Sequence, residues 1–480
     1  MSLREQEDFP KSSKQCLGLA LSKGFIELNF LKDEPNGTTK GFLLSSAAWM
    51  VAGSLAGFIG AVEMVAPELL GNIPWIAFGR IRQIHTNLVM FGFVGSALVG
   101  AAHYLVPTLL RTPLHSERIG KISLWLWNLA ITAGVVTLSL GYTQNREYAE
   151  LIWPIDIGVL IVLALVFYNF LQTLRHRKEN LLYVSIWYVV GSFVFTFFTY
   201  FFGNAVWNPE TGSIIGIPDA VLAWFYGHNI IAFFFTTLAV AVAYYVIPIV
   251  SRTPLYSHTL SLIGFWTILI MYSHIGTHHI IQAPVQTWLK VIAVTGSVGM
   301  LIPVLTVLVN LWLTMRGRLG NIHADIGGKF VFAGSVWYLL TCLQGPLQSL
   351  PSVQRLTHFT NWVVGHAHVG VLGFAGMTAL GGVYFILPRV TGRPLYSTRL
   401  ADIQYWLVLI GMTGFFVILT TAGLIQGNAW LNGEVVYRVL PQIHLYMVLR
   451  ASAGILIVGG AIIGLYNIFM SLYGPKGKTS

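Results

Sequence analysis

From residue 42 onward the chain alternates long apolar stretches with short polar interruptions. A spanning helix needs about 20 mostly apolar residues. Twelve stretches meet that length, near 42–63, 86–107, 123–142, 151–172, 181–203, 222–249, 258–280, 287–314, 329–349, 362–387, 403–426 and 443–471. Residues 1–41 are polar and mixed in charge, without the short apolar core and cleavage site of a secretory signal. The pattern predicts an N-terminal tail (1–41), an all-α integral membrane domain (42–471) and a short polar C-terminal tail (472–480).

A repeat subdivides the spans. Tyr104 to Ser116 reads YLVPTLLRTPLHS, Tyr245 to Ser257 reads YVIPIVSRTPLYS, and Tyr384 to Ser397 reads YFILPRVTGRPLYS. Their prolines, Pro107, Pro248 and Pro388, are 141 and 140 residues apart by subtraction, a period of four spans. The expected architecture is three pseudo-symmetric arcs of four helices.

Composition agrees: the 480 residues are 55% hydrophobic and 10% charged, with a mean hydropathy of +0.69. The net charge of +10 does not point to nucleic acid, because its location follows the spans. Arg111, Arg118 and Lys121 follow the second span; Arg175, Arg177 and Lys178 the fourth; Arg252 the sixth; Arg316, Arg318 and Lys329 the eighth; Arg389, Arg393 and Arg399 the tenth. By the positive-inside rule these loops and both termini are cytoplasmic. Cys16 and Cys342 are the only cysteines, one in the tail and one in a span. They form neither a disulfide framework nor a thiolate metal site, so any metal must rely on histidine.

Six histidines follow the repeat. His85, His228 and the pair His366/His368 lie 20 to 22 residues before their unit's proline by subtraction, at the outer end of each unit's second helix. Helix seven runs outward and delivers His278 and His279 to the same depth. Ligating side chains inside a membrane are costly, so several at one level imply a polar cofactor site. His366 and His368, two residues apart, face opposite sides of one helix. His368 with His85 could complete a six-coordinate haem, while His366 alone could hold a second haem with an open face. His228, His278 and His279 make a tris-imidazole set for copper or a similar metal. Tyr272, seven residues before His279 by subtraction, lies about two turns deeper on the same face. His103, His274, His358 and His444 lack this arrangement and read as helix contacts.

WFYGHN (224–229), Tyr272 with GTHH (276–279), and WVVGHAHVG (362–370) resemble the haem-copper oxygen reductases, from about residue 42 to 470. RIRQIHTN (80–87), EYAELIWPID (147–156) and a tyrosine on the seventh helix resemble the catalytic subunit of the C-family, or cbb-type, cytochrome c oxidases. The resemblance implies a low-spin haem b on His85 and His368, a high-spin haem b on His366, and copper on His228, His278 and His279. It further implies a Tyr272–His228 cross-link and reduction of O2 to water coupled to proton pumping. Electrons would come from cytochrome c through c-type haem subunits, because this chain contains neither a covalent haem motif nor a dinuclear copper domain. The setting would be a bacterial inner membrane.

In the family the outer loops carry haem propionates and a calcium ion, which implies that Arg80 and Arg82 face propionates and that Glu147 or Glu150 holds the cation. A hydroxyl-bearing set, Tyr245, Tyr256, Ser257, Ser261 and Thr236, leads from the inner loop toward Tyr272 as an expected proton path. One departure stands out: Gln344 occupies a position before Gly-Pro where the family usually carries glutamate. Glutamine hydrogen-bonds but carries no proton at neutral pH. Nitric oxide reductase, with non-haem iron and glutamates, remains an alternative on the sequence alone, as does a non-catalytic haem-binding paralogue. A plain transporter would leave the histidines unexplained.

Overall fold

The computed structural model describes residues 34–144, 146–205 and 214–474, and every regular element among them is helical. Most of the expected N-terminal tail with Cys16, and residues 475–480, lie outside the described residues. Among the described residues eleven helices are long and apolar enough to cross a membrane. They are α1 (Gly37–Val65), α2 (Phe78–Leu110), α3 (Glu117–Leu140), α4 (Trp153–Arg175), α5 (Val184–Asn204), α6 (Ile217–Ser251), α8 (Thr287–Thr314), α9 (Ile326–Ser349), α10 (Asn361–Thr391), α11 (Thr398–Leu431) and α12 (Val436–Tyr473). Between α6 and α8 lies α7 (His258–Tyr272), an apolar helix of 15 residues.

At 1.5 Å per residue α7 reaches roughly 23 Å, short of a bilayer core of about 30 Å. The helix expected over 258–280 stops after Tyr272 and resumes as a 3-10 turn, Gly276–Ile280. Gly276 explains the break: a Cβ there would sit 2.3 Å from the Trp224 carbonyl oxygen on α6. The turn therefore packs backbone to backbone on α6 and brings His278 and His279 with it. α2 differs in the other direction, beginning at Phe78 rather than near 86. Its extra turns are amphipathic, burying Ile81 and Ile84 and leaving Arg82 exposed.

The repeat is written in hydrogen bonds. After α2, α6 and α10 the chain passes through left-handed residues, Arg111, Arg252 and Gly392. It then enters the next helix through Ser116, Ser257 or Ser397, whose side chain caps that helix. An asparagine on each unit's fourth helix grips the capping serine's backbone from both sides. Asn169 on α4 accepts from the Ser116 amide at 3.0 Å and donates to its carbonyl at 2.9 Å. Asn310 on α8 does the same for Ser257 at 2.9 and 2.8 Å, and Asn467 on α12 for Ser397 at 3.1 and 2.9 Å.

α2, α6 and α10 are the most enclosed helices, with 89%, 94% and 83% of their apolar windows buried. Each widens into a π-helical stretch: Leu88–Gly95, Ile231–Thr236 and Val369–Gly376. Each stretch starts three residues after His85, His228 or His366. Such segments cluster at functional sites, where they re-aim side chains.

Candidate metal centre

His228 comes from α6, and His278 and His279 from the turn after α7. One ring nitrogen from each lies within 4.8 Å of the others, the one such cluster among the described residues. His228 Nδ1 stands 3.2 Å from His279 Nε2. Two nitrogens bonded at about 2 Å to one metal stand roughly 3–3.5 Å apart, so this spacing suits a shared ion. Neighbours fix the rings. Ser297 gives its proton to the Ala293 carbonyl at 2.6 Å and so accepts from His278 Nδ1, leaving His278 Nε2 bare for a metal. Trp224 stacks on His279 at 4.1 Å, and Gln354 donates to the His278 carbonyl.

Tyr272 packs on His228 with ring centres 4.8 Å apart, and the buried Nε2 of His228 has no hydrogen-bond partner. Thr236 lies near the Tyr272 phenol. Tyr338, whose buried hydroxyl has no protein partner, lies within electrostatic range of Tyr272, Tyr188, Tyr244 and Cys342. Tyr244 reaches Ser261 and Asn310, with Asn310 bonded to Ser261 at 3.0 Å.

Tyr245, expected on this path, points elsewhere, with its ring against Tyr104 and Phe385. Adjacent helical residues diverge by about 100°, so Tyr244 and Tyr245 cannot share a face. Ser257 is engaged as a helix cap, and Tyr256 is exposed, its amide held by Thr314. Sequence reasoning missed Tyr244 and Tyr338, which nothing in their local sequence separates from the other tyrosines.

His85 and His368 face each other across a cavity between α1, α2, α10, α11 and α12, with ring centres 6.1 Å apart and planes at 21°. Two imidazoles bonded at about 2 Å to one iron from opposite sides have centres roughly 6 Å apart. Each gives its Nδ1 proton to a backbone carbonyl, His85 to Gly53 and His368 to Val364, both at 2.8 Å, so each bares Nε2. Gly57 is required here, since a Cβ would meet the His85 ring at 2.6 Å. Two arginines line the same cavity, Arg82 and Arg450. Arg82 is paired with Glu147 at 2.6 Å. Arg450 on α12 was not singled out from the sequence; its contact is with the Met64 sulfur at 3.0 Å. Arg80, expected at the same cofactor, turns instead to the end of α3 and donates to the Ser139 carbonyl at 2.8 Å.

His366, on the other face of α10, lies with Nδ1 3.3 Å from Gln344 Oε1 and its ring stacked on Trp362 at 5.8 Å. At the outer surface Glu150 is buried and accepts from Asn87 at 3.0 Å and from the Tyr148 amide at 3.2 Å. Burial, helped by the charge of Glu147, pushes its carboxyl up to about 7. Nearby Asp156 is fully buried and accepts from Tyr200 at 2.7 Å and from Gln144.

Residues 38–456 match the family described as Cytochrome C and Quinol oxidase polypeptide I. The chain belongs to this family. Its relatives include the cbb3-type cytochrome c oxidase subunit CcoN1 of Stutzerimonas stutzeri, 30% identical over 91% of this chain and 94% of that one. A cytochrome c oxidase subunit 1 homolog of Agrobacterium tumefaciens is 32% identical over 90% and 83%. A nitric oxide reductase chain of Stutzerimonas stutzeri is more distant, 25% identical over 91% and 95%. A heme-copper terminal oxidase dimer seen by cryo-electron microscopy shares the fold, with a TM-score of 0.77 and 17% identity over 92% and 85% of the two chains. Membership of the oxidase family implies haem and copper, and the side chains fit both. Bare Nε2 atoms face across one cavity, and three imidazoles converge in a separate cluster.

Proposed function

We propose that this chain is the catalytic subunit of a membrane cytochrome c oxidase of the cbb type, reducing O2 to water at a high-spin haem b and copper. The observation that carries the reading is an all-imidazole triad, with no carboxylate in the cluster among the described residues, whose His228 packs on Tyr272. A pure imidazole set suits copper, whereas non-haem iron sites characteristically add a carboxylate to their histidines. Together with the closer oxidase relatives, this favours oxygen over nitric oxide as the substrate.

Reduction of one O2 to two waters takes four electrons and four protons. Haem iron and copper, when bound, supply the electron transfer to oxygen. The protein's own groups handle position and protons. His85 and His368 would hold the low-spin haem b, and Arg450 and Arg82, which line the same cavity, would meet its carboxylates. His366 would hold the high-spin haem b, and His228, His278 and His279 would hold copper. Tyr272 gives a proton and an electron; it regains the electron from cytochrome c and the proton along Ser261, Tyr244, Tyr338 and Thr236, with internal water bridging the unpartnered hydroxyls. A bond between a Tyr272 ring carbon and the bare Nε2 of His228 completes the centre: one C–H and one N–H break, the two protons and two electrons pass to O2, the enzyme's own substrate, and the joined peptides are lighter by two hydrogen atoms. Glu147 and Glu150 flank a site for calcium. Electrons arrive from cytochrome c through c-type haem subunits of the same complex. Both termini lie in the cytoplasm of a bacterium, with the centre toward the outer face of its inner membrane and protons pumped outward.

The test is oxygen consumption by the purified complex fed with reduced cytochrome c. The reading expects turnover that Tyr272→Phe cuts by about 100-fold or more while haem and copper stay bound. Faster consumption of nitric oxide than of oxygen would contradict it.

A further inference from the structure

Gln344 faces His366 but has no role in the scheme above. It sits on α9 immediately before Gly345 and Pro346, a step that brings α9 close to α10. A Cβ at Gly345 would stand 3.9 Å from His366 Cε1, and Pro346 withholds an N–H from the preceding turn. Gln344 Oε1 thus comes within 3.3 Å of His366 Nδ1.

A ligating imidazole must keep one nitrogen bare. If His366 Nε2 takes the iron, Nδ1 carries the proton and only the carbonyl end of the Gln344 amide can accept it. The acceptors behind the other ligands are also uncharged: the Gly53 and Val364 carbonyls and the Ser297 hydroxyl. Among the described residues no ligating histidine gives its Nδ1 proton to a carboxylate. A carboxylate would draw that proton and push the ring toward imidazolate, strengthening its bond to iron and favouring the ferric state. A neutral amide does this far less.

We propose that Gln344 is a positioning residue that locks His366 in the ligating tautomer and, being uncharged, keeps the iron it would hold weakly bound by imidazole and easily reduced. This rests on His366 being the axial ligand of the high-spin haem. The experiment compares the reduced holo-complex with Gln344→Glu and Gln344→Leu at alkaline pH, where an introduced carboxyl is ionised. Resonance Raman reads the iron–histidine stretch, and redox titration reads the potential of the five-coordinate haem. Gln344→Glu, which preserves size, is expected to raise the stretch and lower the potential; Gln344→Leu is expected to lower the stretch. Unshifted values in Gln344→Glu overturn the proposal, and if Gln344→Leu then loses haem the residue is only packing. A wild-type complex without a five-coordinate haem overturns the ligand assignment beneath it instead.

Discussion

Gly57 shows how single residues set this site. The His85 ring occupies the space a side chain at 57 would need, so Gly57→Ala should displace the ligand. The expected outcome is loss of the six-coordinate haem spectrum while the high-spin haem stays. Glu150 gives a second test at this scale. Its folded carboxyl titrates near 7 against an ordinary 4.5, so the folded state binds the proton more tightly than the unfolded chain does. Stability then falls as pH rises from 4.5 to 7, by about 3 kcal/mol, and Glu150→Gln should flatten that dependence in melting curves taken without divalent cations. The convergence of the histidines was legible in the sequence because imidazoles stand out against apolar surroundings and recur with the repeat. Arg450 was not, since only packing tells that its helix face lines the His85 cavity. Tyr244 and Tyr245 were interchangeable in the sequence for a similar reason, differing only in the face they present.

At the scale of elements, the asparagine clamps are the part of the repeat that the sequence pattern did not reveal. Asn169 and Asn310 keep the period of the prolines, but Asn467 falls 157 residues after Asn310 by subtraction. The third unit contains the long helices α11 and α12, of 34 and 38 residues, which hides the equivalence. Asn310→Ala leaves the Ser257 amide and carbonyl without their partner, and removes the Ser261 contact as well. It should cost about 1–3 kcal/mol, read as a lower melting temperature of the complex, with the haem spectra unchanged below the transition. The break in α7 was also illegible, because apolarity continues past Tyr272 and only the close approach at Gly276 ends the helix.

For the whole molecule, fold and chemistry meet at one level of the membrane. Three enclosed helices bring His85, His228, His366 and His368 to that level, and the turn after α7 adds His278 and His279. The loop charges and the repeat made the helical architecture legible early, while the assembly of two facing ligand sets depends on how the units pack. The decisive measurement is the number of protohaems, irons and coppers per chain in the purified complex. Two haems and one copper are expected, with the copper lost and both haems kept in His278→Ala. A third, non-haem iron in place of copper, or no third metal at all, would contradict that expectation.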